Sequence, residues 1–216
     1  MSDNSKIQSI IVAATRLAEQ NLADNGASIA AKADFASDNE RGGSGFFMTA
    51  ASADFSAMTE RHITFASLSN TGDGGAAGLF ARAFAAKPKA RAAIVASTPY
   101  LLRLSELSTE LPPILDDFAQ IIGGNLKIAV SGKIAAALRG RNGCLLENKG
   151  VLVLGRTLDE TVTALLVAEK TAKVFVLSHY LGAPAPISAI ETKLMSVVYR
   201  IKYSKKNQKA MEIKEK

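Results

Sequence analysis

The stretch LLENKGVLVLGRTLDE, residues 145–160, predicts two buried strands, a polar turn between them and the start of a helix. Thr157 and Glu160 have the spacing of a capping box, in which each residue's side chain bonds the other's backbone N–H. The turn, residues 147–150, places Lys149 between an asparagine and a glycine. Short turns between strands favour Asn-Gly or Asp-Gly, so the lysine is unexpected there and needs an explanation.

The composition indicates a globular protein that is large enough to bury a substantial core. The chain has 216 residues, of which 48% are hydrophobic and 21% charged, and its mean hydropathy is +0.12. No apolar run reaches the roughly 18 residues that span a bilayer, so no membrane span is expected. The first residues do not have the layout of a signal peptide. A single cysteine, Cys144, permits no intrachain disulfide and fits a reducing cytoplasm, which is the predicted location.

The positive charge is concentrated at one end of the chain. The formal net charge is +6, and residues 204–216 contain five lysines and two glutamates. Basic and aromatic residues are not interleaved, so we expect no nucleic-acid partner. We therefore predict one folded domain, residues 1–203, followed by a basic C-terminal tail, residues 204–216.

Hydrophobic periodicity predicts helices and strands that alternate irregularly along the chain. A second capping box, Ser188 with Glu191, precedes the last helix. The pattern indicates a mixed sheet between helices. The predicted strands are 28–33, 45–50, 62–68, 91–97 and 126–130, together with the two in the opening stretch. The predicted helices are those starting near residues 7, 76, 99, 113, 131, 157 and 188, with Asp24-Asn25-Gly26 ending the first and Gly182 ending the one from Thr157.

Residues 143–175, GCLLENKGVLVLGRTLDETVTALLVAEKTAKVF, resemble the C-terminal half of class II aldolase/adducin proteins. In that family a strand and turn written LLRNHG lead to V-x-V-G-x-(S/T)-L-x-E-A and a long helix that contains an acidic residue. This chain keeps Gly150, Gly155 and Thr157. The resemblance places Lys149 where the family has a zinc-binding histidine.

The resemblance continues upstream and covers nearly the whole chain. MTAASADFSAMTERHITFASLSNTG (48–72) is similar to a family segment that begins with Thr-Pro-Ser-Gly, and Thr49 is kept. ASIAAK (27–32) stands where the family writes GNISVR. PKARAAIVASTPY (88–100) resembles PDVxAVVHTHSPY, and this alignment puts Val95 and Ser97 at the two other zinc-histidine positions; a shift by one residue would give Ala96 or Thr98. The family's general acid/base falls near Gly74-Gly75-Ala76.

The resemblance implies a three-layer α/β/α sandwich around a central, mainly antiparallel sheet. The family's chemistry uses zinc held by three histidines and a carboxylate that moves protons. This sequence has two histidines, His62 and His179, and neither falls on a ligand position. We expect no metal and no cofactor, with both histidines acting as surface or packing residues and Cys144 as an apolar core residue.

The preferred interpretation is a degenerate family member that acts as a binding or assembly module rather than as a zinc-dependent aldolase. Lys149 then places a cation near the lost metal site, where it binds a small anionic ligand, or simply pairs with Glu147. The predicted ligand-binding residues are Lys149, Asn148, Ser97, Thr49, Gly74 and Gly75, with Lys149 the catalytic candidate. The alternative is a metal-independent lyase or epimerase acting on a small phosphorylated or carboxylated sugar-like substrate. In it, Lys149 would be the electrophile, and Tyr100, Asp73 or Glu147 would move protons.

Family members characteristically form cyclic tetramers, so the resemblance implies a homo-oligomer. The predicted last helix has apolar residues at Leu194, Val197, Val198 and Ile201. They form either a contact with another subunit or a face that packs on the chain's own core.

Overall fold

The computed structural model describes residues 3–22, 26–33, 44–50, 53–69, 71–72, 74–130 and 133–214, with only the backbone described at residue 200 and at 203–214. The helices are α1 (Asp3–Glu19), α2 (Ala76–Ala86), α3 (Pro99–Glu106), α4 (Asp116–Ile121), α5 (Ile134–Ala137), α6 (Leu158–Ser178) and α7 (Ala189–Lys214). The strands are β1 (Ser28–Lys32), β2 (Gly45–Thr49), β3 (Ile63–Ser67), β4 (Ala92–Ala96), β5 (Ile128–Ala129), β6 (Gly143–Leu146) and β7 (Gly150–Gly155). The predicted ends of the first helix, Asp24 and Asn25, lie outside the described residues.

Within these residues the strands form one seven-stranded sheet in the order β3-β2-β1-β4-β7-β6-β5. Every neighbouring pair is antiparallel except β5 and β6, which run parallel. The prediction of a central, mainly antiparallel sheet is therefore confirmed. The strand predicted over 126–130 is shorter than expected, because Leu126 forms an isolated bridge with Leu111 instead of joining β5.

The strands alternate their side chains between two apolar layers, as the period of two requires. In β4, Ile94 and Ala96 face one core, which also contains residues of α1, α3, α4 and α6. Ala93 faces the other core, which is built with α2 and α5. Helices thus cover both faces of the sheet, which is the predicted three-layer α/β/α sandwich.

The two predicted capping boxes have different outcomes. At the start of α6, the Glu160 N–H donates to Thr157 Oγ1 over 3.1 Å, as predicted. The Glu160 carboxylate does not bond Thr157 in return; it accepts from the Arg156 backbone N–H and guanidinium instead. The carboxylate prefers Arg156 because the guanidinium offers it an ion pair as well as hydrogen bonds. Only the half of the capping box made by Thr157 therefore forms, and the prediction of a full box is wrong here.

The second capping box, before α7, forms in full. Ser188 N–H and Oγ both donate to Glu191 Oε2, and Glu191 N–H donates to Ser188 Oγ. These hydrogen bonds hold the pKa of Glu191 below its usual value, the hydroxyl of Ser188 contributing most. The helix α7 continues through Lys214 and so runs across the predicted boundary at residue 203. The division into a domain, residues 1–203, and a basic tail, residues 204–216, stays a prediction. No helix in the described part of the chain combines the length and apolarity needed to cross a bilayer.

Candidate functional site

The turn between β6 and β7 explains why a lysine can occupy position 149. The Lys149 N–H donates to Leu146 O over 2.9 Å and closes the turn. The left-handed backbone conformations fall on Asn148 (φ 56°) and Gly150 (φ 84°), and asparagine and glycine tolerate them best. Residue 149 does not have a positive φ, so the backbone of the turn does not restrict which side chain can occupy this position.

Gly150 also meets the neighbouring strand at very close range. A Cβ atom at this position would lie 2.2 Å from the carbonyl oxygen of Ala96 and 2.8 Å from Ser97 Cα. The Gly150 N–H donates to Ser105 Oγ of α3 over 3.1 Å. Glycine thus lets the turn press against the end of β4, which brings Lys149 next to Ser97.

The end of β4 divides its residues between the two faces of the sheet. Ala96 and Thr98 are fully buried, and Ala96 and the Thr98 hydroxyl face the layer that contains α6. Val95 packs on the other layer, and Ser97 lies half-buried beside the turn. The Ser97 hydroxyl donates to the Lys149 carbonyl oxygen over 3.1 Å. The three positions that the resemblance aligns with zinc histidines, Val95, Ser97 and Lys149, therefore lie around one turn, whereas Ala96 and Thr98 face the opposite layer.

A cleft of about 480 Å³ opens beside Lys149. Its wall includes the glycines Gly74 and Gly75, which precede α2, and the charged residues Arg82, Glu147 and Lys149. Apolar side chains complete its lining: Ala76, Leu79, Val95, Ala129, Ile134 and Leu146. The volume is suitable for a small organic molecule, and two cations face one carboxylate.

Two charged residues of this cleft, Lys149 and Glu147, belong to the β6–β7 turn. Lys149 and Glu147 are both exposed, and no ion pair joins them among the residues that the structure describes. The predicted Lys149–Glu147 pair is therefore not formed. Arg82 donates from Nη1 to Thr71 O over 2.7 Å and so holds the loop that leads to Gly74. Sequence reasoning missed Arg82, since nothing local links a helix residue to the distant turn.

Three predicted site residues, Thr49, Asn148 and Ser97, are not among the residues that line this cleft. Thr49 is buried, and its hydroxyl accepts from the Ile29 N–H over 3.1 Å and contacts Ser28 Oγ. Asn148 is exposed in the turn. Ligand binding by these three residues stays a prediction, as it does for Lys149, Gly74 and Gly75. Of the predicted proton-transfer residues, Glu147 lines the cleft, Tyr100 lies in α3 and Asp73 lies outside the described residues.

Glu169, an acidic residue of the long helix α6, anchors the start of α3. Its carboxylate accepts from Thr98 Oγ1 (2.6 Å), Tyr100 N–H (2.9 Å) and Leu101 N–H (3.1 Å). The first N–H groups of a helix have no intrahelical partner, and a negative charge complements the helix dipole there. Glu169 therefore fixes the segment that follows Ser97.

The two histidines and the cysteine have the predicted packing roles. His62 Nδ1 accepts from the Thr59 N–H in a short 3₁₀ turn, and His179 Nδ1 lies 2.6 Å from Phe175 O at the end of α6. Cys144 is fully buried in β6, and burial raises the pKa of its thiol to about 12.

The side chains at the three aligned positions do not fit zinc. Zinc in proteins takes histidine nitrogen, cysteine sulfur or carboxylate oxygen, whereas these positions hold a valine, a serine hydroxyl already donated to a carbonyl, and an ammonium. Among the described residues, no cluster of three or more His, Cys, Asp or Glu side chains is arranged to hold a metal. These side chains therefore support no reaction step that uses zinc.

Fold and site together define an α/β/α sandwich with a polar cleft at one end of its sheet, beside the β6–β7 turn. A sequence profile described as the class II aldolase and adducin N-terminal domain matches residues 8–176. The chain belongs to this family. No curated protein sequence matches it.

Solved structures give the same fold. An L-fuculose 1-phosphate aldolase shares 20% identity with a TM-score of 0.78, over 93% of this chain and 98% of that chain. The L-fuculose 1-phosphate aldolase from Glaciozyma antarctica PI12 also shares 20% identity, with a TM-score of 0.71 over 88% and 79%. The l-fuculose-1-phosphate aldolase from Thermus thermophilus shares 17%, with a TM-score of 0.65 over 84% and 99%. At such low identity these likenesses establish the fold alone.

Proposed function

We propose that this family member binds a small anion in the Lys149 cleft and assembles with copies of itself, without zinc-dependent aldol chemistry. The observation that carries the proposal is the group of Val95, Ser97 and Lys149 around one turn beside an open cleft. By the family resemblance, these positions correspond to metal ligands, and a cation at one of them supports binding rather than zinc chemistry. A retained fold does not by itself imply a retained activity.

The charges of the cleft favour an anionic ligand. Lys149 places an ammonium beside the cleft, and Gly74 and Gly75 line the cleft directly before α2. The N-terminus of a helix carries partial positive charge and exposed N–H donors. A phosphate or carboxylate in the cleft would meet both positive features, the Lys149 ammonium and the N-terminus of α2.

Binding of inorganic phosphate, followed by phosphorus NMR and calorimetry, tests this role. Lys149→Met keeps the approximate length of the side chain, and we expect it to weaken phosphate binding about two- to fivefold, the effect of one partly hydrated charge. Lys170→Met removes an exposed charge on α6 outside the cleft and serves as the matched control. Equal affinities in wild type and Lys149→Met would refute the proposed ligand site.

The second candidate is the metal-independent enzyme, which the presence of Lys149 and Glu147 in one cleft favours. A lysine that forms a Schiff base usually has its amine activated by an apolar enclosure or a neighbouring cation, whereas Lys149 is exposed. Borohydride reduction in the presence of glyceraldehyde separates the two candidates. The binding role predicts slow labelling spread over exposed lysines, and rapid labelling confined to Lys149 would establish the enzyme instead.

Assembly is supported by the unusual polarity of α7. Its buried positions include Thr192 and Ser196, each 3% exposed, and Ser196 lies against Gly123 next to α4. Five of its large apolar side chains face outward instead: Ile190, Leu194, Val197, Val198 and Ile201 are 42–82% exposed. These five residues, which we call the α7 apolar face, do not pack on the chain's own core. An exposed apolar stripe of this kind is typical of a contact with another subunit, and the family resemblance predicts a tetramer.

A further inference from the structure

A groove of about 400 Å³ lies between the C-terminal ends of α3 and α6. None of its lining residues lines the Lys149 cleft. Among the described residues, no lysine, arginine, aspartate or glutamate lines it. The groove is therefore a separate candidate site whose selectivity does not depend on a charged side chain. Its lining consists of Leu104, Leu107, Thr109, Phe175, Val176, His179 and Tyr180.

One wall of the groove is the end of α3, which backbone hydrogen bonds hold in place. Ser108 has a left-handed backbone, with φ 50°, and the Thr109 N–H donates to Leu104 O over 2.9 Å. This six-to-one bond after a left-handed residue is the Schellman arrangement that closes many helices. Leu104 is 3% exposed and belongs to the core, whereas Leu107 is 64% exposed. The wall thus has a fixed backbone and offers an apolar side chain to a ligand.

The opposite wall, at the end of α6, is aromatic and contains one hydrogen-bond acceptor. The rings of Phe175 and His179 meet edge to face with their centroids 4.5 Å apart, and Tyr180 follows, 86% exposed. His179 Nδ1 lies 2.6 Å from Phe175 O. A carbonyl oxygen only accepts, so Nδ1 carries the hydrogen. In the neutral imidazole the other ring nitrogen, Nε2, is then an acceptor.

Both helices direct their C-terminal ends at this groove. The C-terminus of a helix carries roughly half an elementary negative charge, which acts within the last turn. Leu104 lies in the last turn of α3, and Phe175 and Val176 lie in the last turn of α6, which has 21 residues. The groove therefore combines apolar walls with partial negative charge, and this combination favours a cation over an anion.

We propose that this groove binds a small aromatic ammonium ion, with its ring against Leu107 and its ammonium toward His179 Nε2 and the aromatic wall of Phe175 and Tyr180. An ammonium is attracted to aromatic faces as well as to a nitrogen acceptor. The volume lies near the lower end of the range for ligand sites, about 300–1,000 Å³, which suits a single-ring amine. The formal net charge of the chain is +6, so unspecific attraction would favour an anion instead.

A saturation-transfer NMR titration of the intact protein with 2-phenylethylammonium, and with 3-phenylpropionate of similar size and opposite charge, tests the proposal. At about pH 8 alkylammonium groups are charged and imidazole is generally neutral. We expect the ammonium to bind at least about threefold more tightly than the carboxylate. His179→Phe keeps an aromatic ring and removes the acceptor. It should weaken binding of the ammonium about three- to tenfold and leave the carboxylate unaffected.

A matched pair of charge insertions locates the site. Leu107→Arg places a guanidinium in the groove at an exposed position and should abolish binding of the ammonium. Val12→Arg adds the same charge at a valine of α1 that is 67% exposed and lies outside the groove, and it should bind like wild type.

Four results would overturn the proposal. They are a wild type that does not bind the ammonium at about 10 mM, one that prefers the carboxylate, a Leu107→Arg variant that binds like wild type, and a His179→Phe variant that weakens both ligands equally. The phosphate experiment on Lys149 concerns a different cleft and stands or falls separately.

Discussion

The Ser97 hydroxyl donates a 3.1 Å hydrogen bond to the carbonyl oxygen of Lys149 and so ties the end of β4 to the β6–β7 turn. Both positions align with zinc-binding histidines in the family pattern, and in this chain they bond to each other through a hydroxyl and a backbone carbonyl. The bond involves only the backbone of Lys149, so it fixes the turn against β4 and leaves the lysine side chain out of the contact.

Gly150→Ala is expected to destabilise the protein strongly, because the new methyl group would lie 2.2 Å from the Ala96 carbonyl oxygen at a backbone φ of +84°. Gly182→Ala provides the matched control, since its φ is +112° and no atom lies within 4 Å of the added Cβ. Urea unfolding should give a loss of about 1 kcal/mol for Gly182→Ala, the cost of the left-handed backbone alone. Gly150→Ala should lose at least about 3 kcal/mol. Equal losses would show that the close approach to β4 is not rigid.

Glu169→Ala is expected to cost about 2–3 kcal/mol of unfolding free energy, because three donors at the start of α3 lose a charged acceptor. Glu169→Gln should fall between wild type and alanine, since an amide offers one acceptor oxygen and no charge. The exposed neighbour Lys170→Ala should change stability by less than about 0.5 kcal/mol. Urea denaturation of the four proteins measures these differences, and a Glu169→Ala variant as stable as Lys170→Ala would contradict the anchoring role.

Much of the fold could be predicted from local sequence patterns, whereas the candidate site could be predicted only in part. The helix at 76–86 matches its predicted bounds, since its apolar period ends at Lys87-Pro88. The period of two in β4 separates Val95 and Ser97 from Ala96 and Thr98, so the two alternative alignments fall on opposite faces of the sheet. The roles of Arg82 and Glu169 depend on partners that only the folded chain brings near. Thr98 and Glu169, for example, are 71 residues apart in sequence.

Cys144 should be unreactive toward Ellman's reagent in the native protein at neutral pH. Its thiol is fully buried, and burial raises its pKa from 9.0 to about 12, so almost no thiolate is present. In denaturing urea the same thiol should react completely, and the native rate should follow unfolding. Rapid reaction without unfolding would show that β6 opens locally.

The raised pKa of Cys144 also predicts an alkaline pH dependence. The buried neutral thiol contributes its full stabilisation below the unfolded pKa of 9.0, and this contribution is lost as the pH rises toward about 12. Cys144→Ala removes the titrating group, so its stability relative to wild type should improve steadily across that range. A constant difference between the two proteins would contradict the assignment.

The α7 apolar face should hold the subunits together. We expect the wild-type protein to sediment as an oligomer, and as a tetramer if it follows the family. Leu194→Asp combined with Val198→Asp places two charges on a face that would be desolvated in the assembly, where an unpaired carboxylate is strongly unfavourable. This double variant should sediment as a monomer and keep its circular dichroism spectrum, because both side chains are already exposed in the single chain, at 63% and 54%. Val12→Asp changes an exposed valine of α1, 67% exposed, and should leave the oligomer intact. A monomeric wild type, or a double variant that sediments like wild type, would remove the assembly role from this face.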